Sequence, residues 1–145
     1  MLFCFATLLF YGCGPANPYG TVVVTGTVTV DGEPMEGVTV AFVPPGEGLS
    51  AYGMTDTSGN FKLTTAGAPF GTGAVPGTYS VTFEKVTSSG EHVVAGEATP
   101  MSLSGPPEPT YHLPRKFGNP GTTGFDPVEV AARGKNHFEF NLETQ

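Results

Sequence analysis

The sequence predicts an all-β domain in which two sheets pack face to face, and three features of its 145 residues support this. The 21 Gly and 14 Pro divide the chain into segments too short for long helices. Apolar and polar residues alternate in segments rich in Val, Thr and Phe, as in strands with one buried face. Turn signals recur about every eight to twelve residues, which is typical of β-sandwiches. We therefore predict one domain with about seven or eight strands.

The first two strands are predicted on either side of the segment DGEPMEG, residues 31–37. In the preceding VTGTVTV, alternate residues from Val24 to Val30 share one face, while threonines occupy the other. Asp31-Gly32 supplies a turn, after which the chain becomes extended again as VTVAFV. These two strands can pair with each other or lie in different sheets.

The middle of the chain predicts further strands in AYGMT, FKLTT and TYSVTFEKV. In the turn DTSGN, Asp56 is expected to accept backbone donors and Gly59 to adopt positive φ. Tyr79, Val81 and Phe83 alternate with polar residues and form the most regular strand pattern. The glycine-rich AGAPFGTGAV is not a phosphate loop, because it lacks the Lys and the following helix that such a loop requires.

The last part of the chain is less regular. The pattern weakens near residues 86–110, where HVVA is the one candidate strand, and we predict a mobile excursion there. The prolines of LPRKFGNPGTTGF favour an extended path over a helix. PVEVAA and HFEFNL predict the closing strands, with Phe138, Phe140 and Leu142 on one face.

Charge and composition argue against two classes of protein. The net charge is −7, and the six basic residues are spread along the sequence, so a nucleic-acid backbone would be repelled. These residues are Lys62, Lys85, Arg115, Lys116, Arg133 and Lys135. Disorder of the whole chain needs low hydrophobicity and high charge, whereas 39% of the residues are hydrophobic and 13% are charged.

The N-terminal MLFCFATLLFYG is uncharged and apolar. Its length matches the hydrophobic core of a secretory signal, ~7–15 residues, and is below the ~18–20 needed to span a bilayer. We predict a signal peptide at residues 1–12, followed by a Pro- and Gly-rich tether that ends at residue 20. Two alternatives stay open, an ordinary cysteine after an apolar strand and a disulfide between Cys4 and Cys13.

The end of this segment, Gly12-Cys13 followed by Gly, Pro and Asn, resembles a bacterial lipoprotein signal. The resemblance implies cleavage before Cys13, transfer of a diacylglycerol to its sulfur, and export to the cell envelope with a lipid anchor in the membrane. Acylation would use the thiol, so no cysteine would remain in the mature chain for a disulfide or a metal. The acyl chains would bind the protein firmly to the membrane, because each buried methylene adds about 0.8 kcal/mol to the binding free energy.

A second resemblance covers most of residues 21–142. It is carried by GTVTVDGEPMEGVTVAFVP, TDTSGNFKLTT and AVPGTYSVTFEK, and by LPRKFGNPGTTGF and GKNHFEFNL near the end. These segments resemble the small carboxypeptidase-regulatory-like lipoproteins of planctomycete bacteria. The resemblance implies a transthyretin-like Greek-key sandwich over residues 21–145. It implies no activity of its own, because this domain is a non-catalytic accessory where its relatives occur in larger enzymes.

The residues that catalysis would need lie in turns and loops. The turn carboxylates, which are expected to be solvated or to bind their own backbone, are Asp31, Glu33, Glu36 and Asp56. The histidines, none of which has a metal-binding spacing, are His92, His112 and His137. The loop serines Ser50, Ser58, Ser88 and Ser89 have no nucleophile elbow. We predict no catalytic residue, no metal site and no cofactor.

Two enzyme families with related sandwiches differ from this chain at their characteristic residues. Hydroxyisourate hydrolases end in Tyr-Arg-Gly-Ser, whereas this chain ends NLETQ. Intradiol dioxygenases bind iron through clustered Tyr and His, and that cluster is missing around Tyr111-His112. Neither chemistry is predicted for this chain.

The leading functional hypothesis is a non-enzymatic, lipid-anchored envelope domain with a structural, adhesive or protein-contact role. The alternative is a module that binds a carbohydrate or another ligand through exposed aromatic residues, by analogy with related sandwiches. The loop aromatics that could form such a platform are Tyr52, Phe70, Tyr111, Phe117 and Phe125. The chain has no Trp, which such platforms use most, so the first hypothesis is preferred.

Overall fold

The structure is a computed structural model that describes residues 17–69, 71–88 and 108–145. These residues form eleven strands and one short 3-10 helix, without any α-helix. The strands build two main sheets and a separate two-stranded sheet. The all-β prediction is confirmed. The predicted signal peptide, Cys13 and the start of the tether lie outside the described residues.

The first sheet is built around β1 (Val24–Val30). On one edge, β11 (Asn136–Leu142) pairs with β1 in parallel over its whole length. On the other edge, the short strands β2 (Glu33–Pro34) and β5 (Asn60–Lys62) pair with β1 in antiparallel orientation. The first and last long strands of the domain therefore hold each other.

The second sheet is antiparallel throughout, with the order β10-β7-β3-β4-β6. Its strands are β3 (Thr39–Val43), β4 (Ala51–Met54), β6 (Thr64–Thr65), β7 (Gly77–Glu84) and β10 (Val128–Val130). The separate two-stranded sheet pairs β8 (Val86–Ser88) with β9 (Pro109–Tyr111). The predicted excursion therefore begins and ends in a strand pair, and HVVA lies outside the described residues.

Local turn chemistry explains how the chain moves between the sheets. Asp31 (φ 51°) and Gly32 (φ 87°) form the tight turn between β1 and β2, as the Asp-Gly pair predicts. In the turn before β5, Asp56 Oδ1 accepts hydrogen bonds from the amides of Ser58 (2.9 Å) and Asn60 (3.0 Å). Gly59 has φ 77° there, so this prediction is confirmed.

One hydrophobic core fills the space between the two sheets. Phe42 of β3 is fully buried, and its ring lies 5.5 Å from Phe138 and 6.3 Å from Phe140 of β11. From the same sheet as β11, Phe61 packs 6.5 Å from Phe42. The alternating patterns predicted for β1, β7 and β11 are confirmed, because their apolar faces are the ones that join this core.

The strand register of the first sheet defines two ends of the domain. β1 and β11 start together, where Val24 pairs with Asn136, and finish together, where Val30 pairs with Leu142. The end at Val24 is called the proximal end below, because the N-terminal segment reaches the domain there. The end at Val30 is called the distal end.

The second sheet can be oriented in the same way. Leu63 donates its amide to the Val24 carbonyl (3.0 Å), and the adjacent β6 pairs Thr65 with Ala51. β4 therefore starts at the proximal end, its antiparallel neighbour β3 finishes there, and β7 runs back to the distal end at Glu84. The start of β1 and the end of β7 thus lie at opposite ends.

Two expectations are corrected by the structure. The segment predicted to be extended contains a 3-10 helix at Arg115–Gly118, preceded by Pro114 at φ −53°. The fixed φ of proline suits a residue just before a helical turn. Burial of Phe117, which is 3% exposed, supplies the stabilisation that the sequence pattern did not reveal.

The number of strands also exceeds the seven or eight predicted. The excess comes from strands of two or three residues. The predicted strand FKLTT, for example, is divided at Leu63 into β5 of the first sheet and β6 of the second. The sequence pattern continues through Leu63, because that residue stays buried while the chain changes its hydrogen-bonding partners.

Candidate functional site

An open groove at the distal end brings charged, aromatic and apolar side chains together. It lies where β7 ends, next to the β8–β9 pair and the 3-10 helix, and has a volume of about 230 Å³. The residues that line it include Phe83, Glu84, Lys85, Tyr111, Leu113 and Arg115. We call it the distal groove.

A cation and an aromatic ring form the exposed wall of the distal groove. The Arg115 guanidinium carbon lies 4.4 Å from the centre of the Tyr111 ring. A guanidinium in this position is attracted by the negative face of the ring. Tyr111 is 43% exposed, and so is Val86, its partner across the β8–β9 pair. The wall therefore combines a positive charge with exposed apolar surface.

Backbone hydrogen bonds fix this wall to the sandwich. His112 donates its amide to the Lys85 carbonyl (2.9 Å), which holds β9 beside the end of β7. The His112 ring also bonds through Nε2 to the Thr87 hydroxyl (2.7 Å). Arg115 is then positioned by the 3-10 helix, in which the Phe117 amide donates to the Pro114 carbonyl (3.1 Å). The groove is thus supported by the core and not by loops alone.

In the lining of the distal groove, the Glu84 carboxylate lies close to the backbone of Gly118. A β-carbon placed on Gly118 would lie 2.9 Å from Glu84 Oε1. The lack of a side chain at Gly118 therefore makes room for the Glu84 carboxylate in the lining of the groove. Because Glu84 and Arg115 both line the groove, a bound partner would meet charges of both signs.

A second cation, Lys116, lies beside the groove, over the ring of the buried Phe117 in the 3-10 helix. Phe117 inserts into the core, and the Lys116 ammonium lies 4.8 Å from the centre of its ring. The Thr122 hydroxyl donates to the Lys116 carbonyl (2.7 Å) and fixes the following turn. In the sequence, the one sign of these two cation–ring contacts is the adjacent basic pair Arg115-Lys116.

The five aromatic residues predicted as a carbohydrate platform do not share one surface. Phe117 is buried, and Phe125 packs on Phe83 (5.4 Å) in the core, so neither is an exposed loop aromatic as predicted. Tyr52 and Tyr111 are exposed, but they belong to different sheets. Phe70 lies outside the described residues.

The histidines of the described segments serve separate local roles. His137 accepts or donates a hydrogen bond with the Thr25 hydroxyl (3.0 Å) near the proximal end, whereas His112 lies at the distal end. His92 lies outside the described residues. Within residues 17–69, 71–88 and 108–145, no group of three His, Cys, Asp or Glu side chains is placed to hold a metal ion.

Asp31 binds the last residues of the chain at the distal end. Its carboxylate accepts hydrogen bonds from the Thr144 hydroxyl (2.5 Å) and the Thr144 amide (3.0 Å). These two bonds, the hydroxyl first, hold the pKa of Asp31 below its ordinary value of 3.8, with a smaller contribution from Lys116. The carboxylate thus fastens residues beyond β11 to the β1–β2 turn.

The Asp31 contact gives a testable pH dependence. Because the folded pKa is lowered, its stabilising contribution is complete above the unfolded pKa and is lost as pH falls through the folded pKa. We expect NMR titration of the Asp31 carboxyl carbon to give a pKa below 3.8, and Thr144→Val to raise it. An unchanged pKa in Thr144→Val would show that the hydroxyl is not the cause.

Comparisons with protein-family models, curated proteins and solved structures find no match to this chain. Among the described residues, no helix has the length and apolar character that crossing a membrane would require.

Proposed function

We propose that this chain is a non-enzymatic, lipid-anchored domain of the bacterial cell envelope that contacts a protein partner through its distal groove. The observation that carries the proposal is the arrangement of the two ends. The segment that leads from Cys13 reaches the domain at the proximal end, beside Val24, whereas the groove is formed at the other end, beside Glu84. An anchor at Cys13 therefore leaves the groove facing away from the membrane.

The exposed wall of the groove favours a protein as the partner. Tyr and Arg are enriched at the residues that carry most of the binding energy in protein interfaces, and here Tyr111 and Arg115 stand together. The exposed Val86 extends this surface along the β8–β9 pair. The groove volume, about 230 Å³, is below the roughly 300–1,000 Å³ of pockets that enclose small molecules.

The groove chemistry supports binding better than catalysis. Among the described residues its lining contains Glu84, Lys85 and Arg115, and it contains no Ser, Thr, Cys or His that could pair with them as a nucleophile or general base. The Arg115 guanidinium is a planar cation with several donors in a fixed geometry, so it serves as an electrostatic contact for a partner carboxylate. Charges of both signs suit a partner surface that is itself polar and mixed in sign.

The finer fold is part of this proposal. We propose that the sandwich over residues 21–145 is a transthyretin-like Greek key of the carboxypeptidase-regulatory-like group. The passage of the chain from β1 and β2 to β3 of the opposite sheet, and its final return to pair β11 with β1, support this topology.

The anchor is tested by mass spectrometry of the intact protein purified from the envelope. We expect an N-terminus at Cys13 that carries a diacylglycerol, and Cys13→Ser is expected to leave the protein unacylated and to release it from the membrane fraction. An intact Met1, or an unmodified Cys13 in the wild-type protein, would contradict the anchor.

The groove is tested separately by capture of partners from detergent-solubilised envelope with the intact protein. Truncation of a central interface residue lowers the binding free energy by about 2 kcal/mol or more. The double variant Tyr111→Ala/Arg115→Ala is therefore expected to lower partner capture at least about tenfold. The matched control is Tyr52→Ala, which removes a tyrosine of similar exposure on β4. Equal capture by both variants would contradict the groove, and retention of polysaccharide instead of protein would favour the carbohydrate alternative.

A further inference from the structure

We propose that the proximal end of the domain docks on the lipid bilayer, with an uncharged groove against the interface and basic residues beside it. This inference rests on the lipid anchor at Cys13 proposed above. It adds a defined orientation of the domain. The proximal end would contact the membrane surface, and the domain would not move freely on its tether.

The chain between the lipid and the domain is short. Asn17 is four residues after Cys13, so a fully extended segment separates their α-carbons by at most about 14 Å. Asn17 is already fixed to the domain, because its side-chain amide donates to the Thr21 carbonyl (2.7 Å) and its side-chain oxygen accepts from the Thr21 hydroxyl (3.2 Å). The Val22–Ala74 bridge continues this attachment. An acylated Cys13 therefore keeps the proximal end within reach of the headgroup region.

The surface beside Asn17 is mostly apolar, and its described lining contains no charged side chain. It forms a groove of about 700 Å³, called the tether-side groove, whose lining includes Pro18, Tyr19, Val23, Pro69 and Thr72. Tyr19 is 37% exposed and Val23 is 58% exposed. Tyrosine side chains favour the membrane–water interface, where the ring meets apolar surface and the hydroxyl stays hydrated. An exposed valine next to it gains by leaving water.

Basic residues lie at the proximal end, the same end as the tether-side groove. Arg133 and Lys135 are exposed in the turn between β10 and β11, which lies at the proximal end because Val130 pairs with Gly77. The third basic residue of this end, Lys62, packs against Gly71 at the rim of the tether-side groove. Basic residues near an anionic bilayer surface strengthen binding.

The distal end is richer in acidic residues, although Lys85, Arg115 and Lys116 also lie there. The Asp31-Gly32 turn, the following Glu33 and the terminal Glu143 all lie there, next to the paired ends of β1 and β11. In a chain of net charge −7, this arrangement keeps these acidic groups away from anionic lipid and brings Arg133 and Lys135 near it, while Glu47 is an acidic residue at the proximal end. The short tether, the apolar groove and the basic turn thus all favour the same orientation.

Fluorescence quenching tests the orientation, because the chain has no Trp and a single introduced Trp is an unambiguous reporter. The acylated full-length variant Val23→Trp would be placed in vesicles that contain anionic lipids brominated near the headgroup. Met54→Trp is the matched control, since Met54 is 65% exposed and its strand finishes at the distal end. We expect Val23→Trp to be quenched at least about twofold more strongly, because its side chain would enter the interface. Adding Arg133→Gln and Lys135→Gln is expected to reduce that quenching.

The outcomes separate the orientation from the anchor. Mass spectrometry of the same preparation shows whether Cys13 is acylated, and an unacylated Cys13 contradicts the anchor and with it the orientation. Acylated protein with equal quenching at Val23→Trp and Met54→Trp contradicts the orientation alone. A Val23→Trp emission that is already blue-shifted in the unacylated Cys13→Ser protein, in buffer free of detergent and lipid, would show that this chain itself fills the groove, and would also contradict bilayer docking.

Discussion

Phe42→Ala is expected to lower the free energy of unfolding by about 3–5 kcal/mol, the usual cost of removing a buried phenylalanine. Phe42 has no exposed surface, and it is the aromatic residue of the second sheet that meets several rings of the first. Its ring lies 5.5 Å from Phe138, 6.3 Å from Phe140 and 6.5 Å from Phe61. The alanine variant would therefore leave a cavity between the two sheets.

The measurement is urea unfolding followed by circular dichroism and tyrosine fluorescence. Tyr52→Ala is the control, because Tyr52 pairs with Ala41, next to Phe42, but points outward and is 46% exposed. Tyr52→Ala is expected to change the free energy of unfolding by no more than about 1 kcal/mol. Similar losses in the two variants would mean that Phe42 does not join the two sheets.

Gly73→Ala is expected to lower the free energy of unfolding by about 2–5 kcal/mol, from backbone strain and lost hydrogen bonds together. Gly73 has φ 92°, and a β-carbon on it would overlap the carbonyl of Val22. That carbonyl accepts a hydrogen bond from the Ala74 amide (3.0 Å), and the Val22 amide donates to the Ala74 carbonyl (2.8 Å). The substitution would therefore separate the N-terminal segment from the proximal end.

Gly67→Ala distinguishes strain from steric overlap in the same loop. Gly67 also has positive φ, at 80°, but a β-carbon there meets nothing within 4 Å. We expect a cost of about 1–2 kcal/mol from its φ alone. Equal effects of the two substitutions would contradict the close approach of Gly73 to Val22. Proteolysis after Asn17 should become faster only in Gly73→Ala, because only this variant frees the segment.

Much of the fold could be predicted from the sequence because its long strands have one buried face each. The alternation of Val24, Val28 and Val30 in β1 and of Phe138, Phe140 and Leu142 in β11 matches the faces that enter the core. The Asp31-Gly32 and DTSGN turns were predictable as well, since their backbone geometry depends on the residues within them. These features are local in the sequence.

The features that the sequence did not reveal depend on distant residues. Nothing in β1 indicates that it pairs in parallel with β11, more than a hundred residues later. The 3-10 helix forms because Phe117 reaches the core, which its proline-rich surroundings do not show. Tyr111 and Arg115 could be noted as an aromatic and a basic residue, but only the pairing of β8 with β9 and the His112–Lys85 bond place them beside Glu84.

Both the anchor and the distal groove require that the two ends of the domain lie on opposite sides of it. A spin–spin distance between Glu47→Cys and Glu143→Cys tests this most directly in protein purified in detergent, with Cys4→Ser and Cys13→Ser removing the native thiols. Glu47 follows the proximal end of β3, and Glu143 follows the distal end of β11. Because β1 alone spans about 20 Å, we expect a distance above about 20 Å. A distance near the ~10 Å between packed sheets would place both residues at one end and contradict the arrangement.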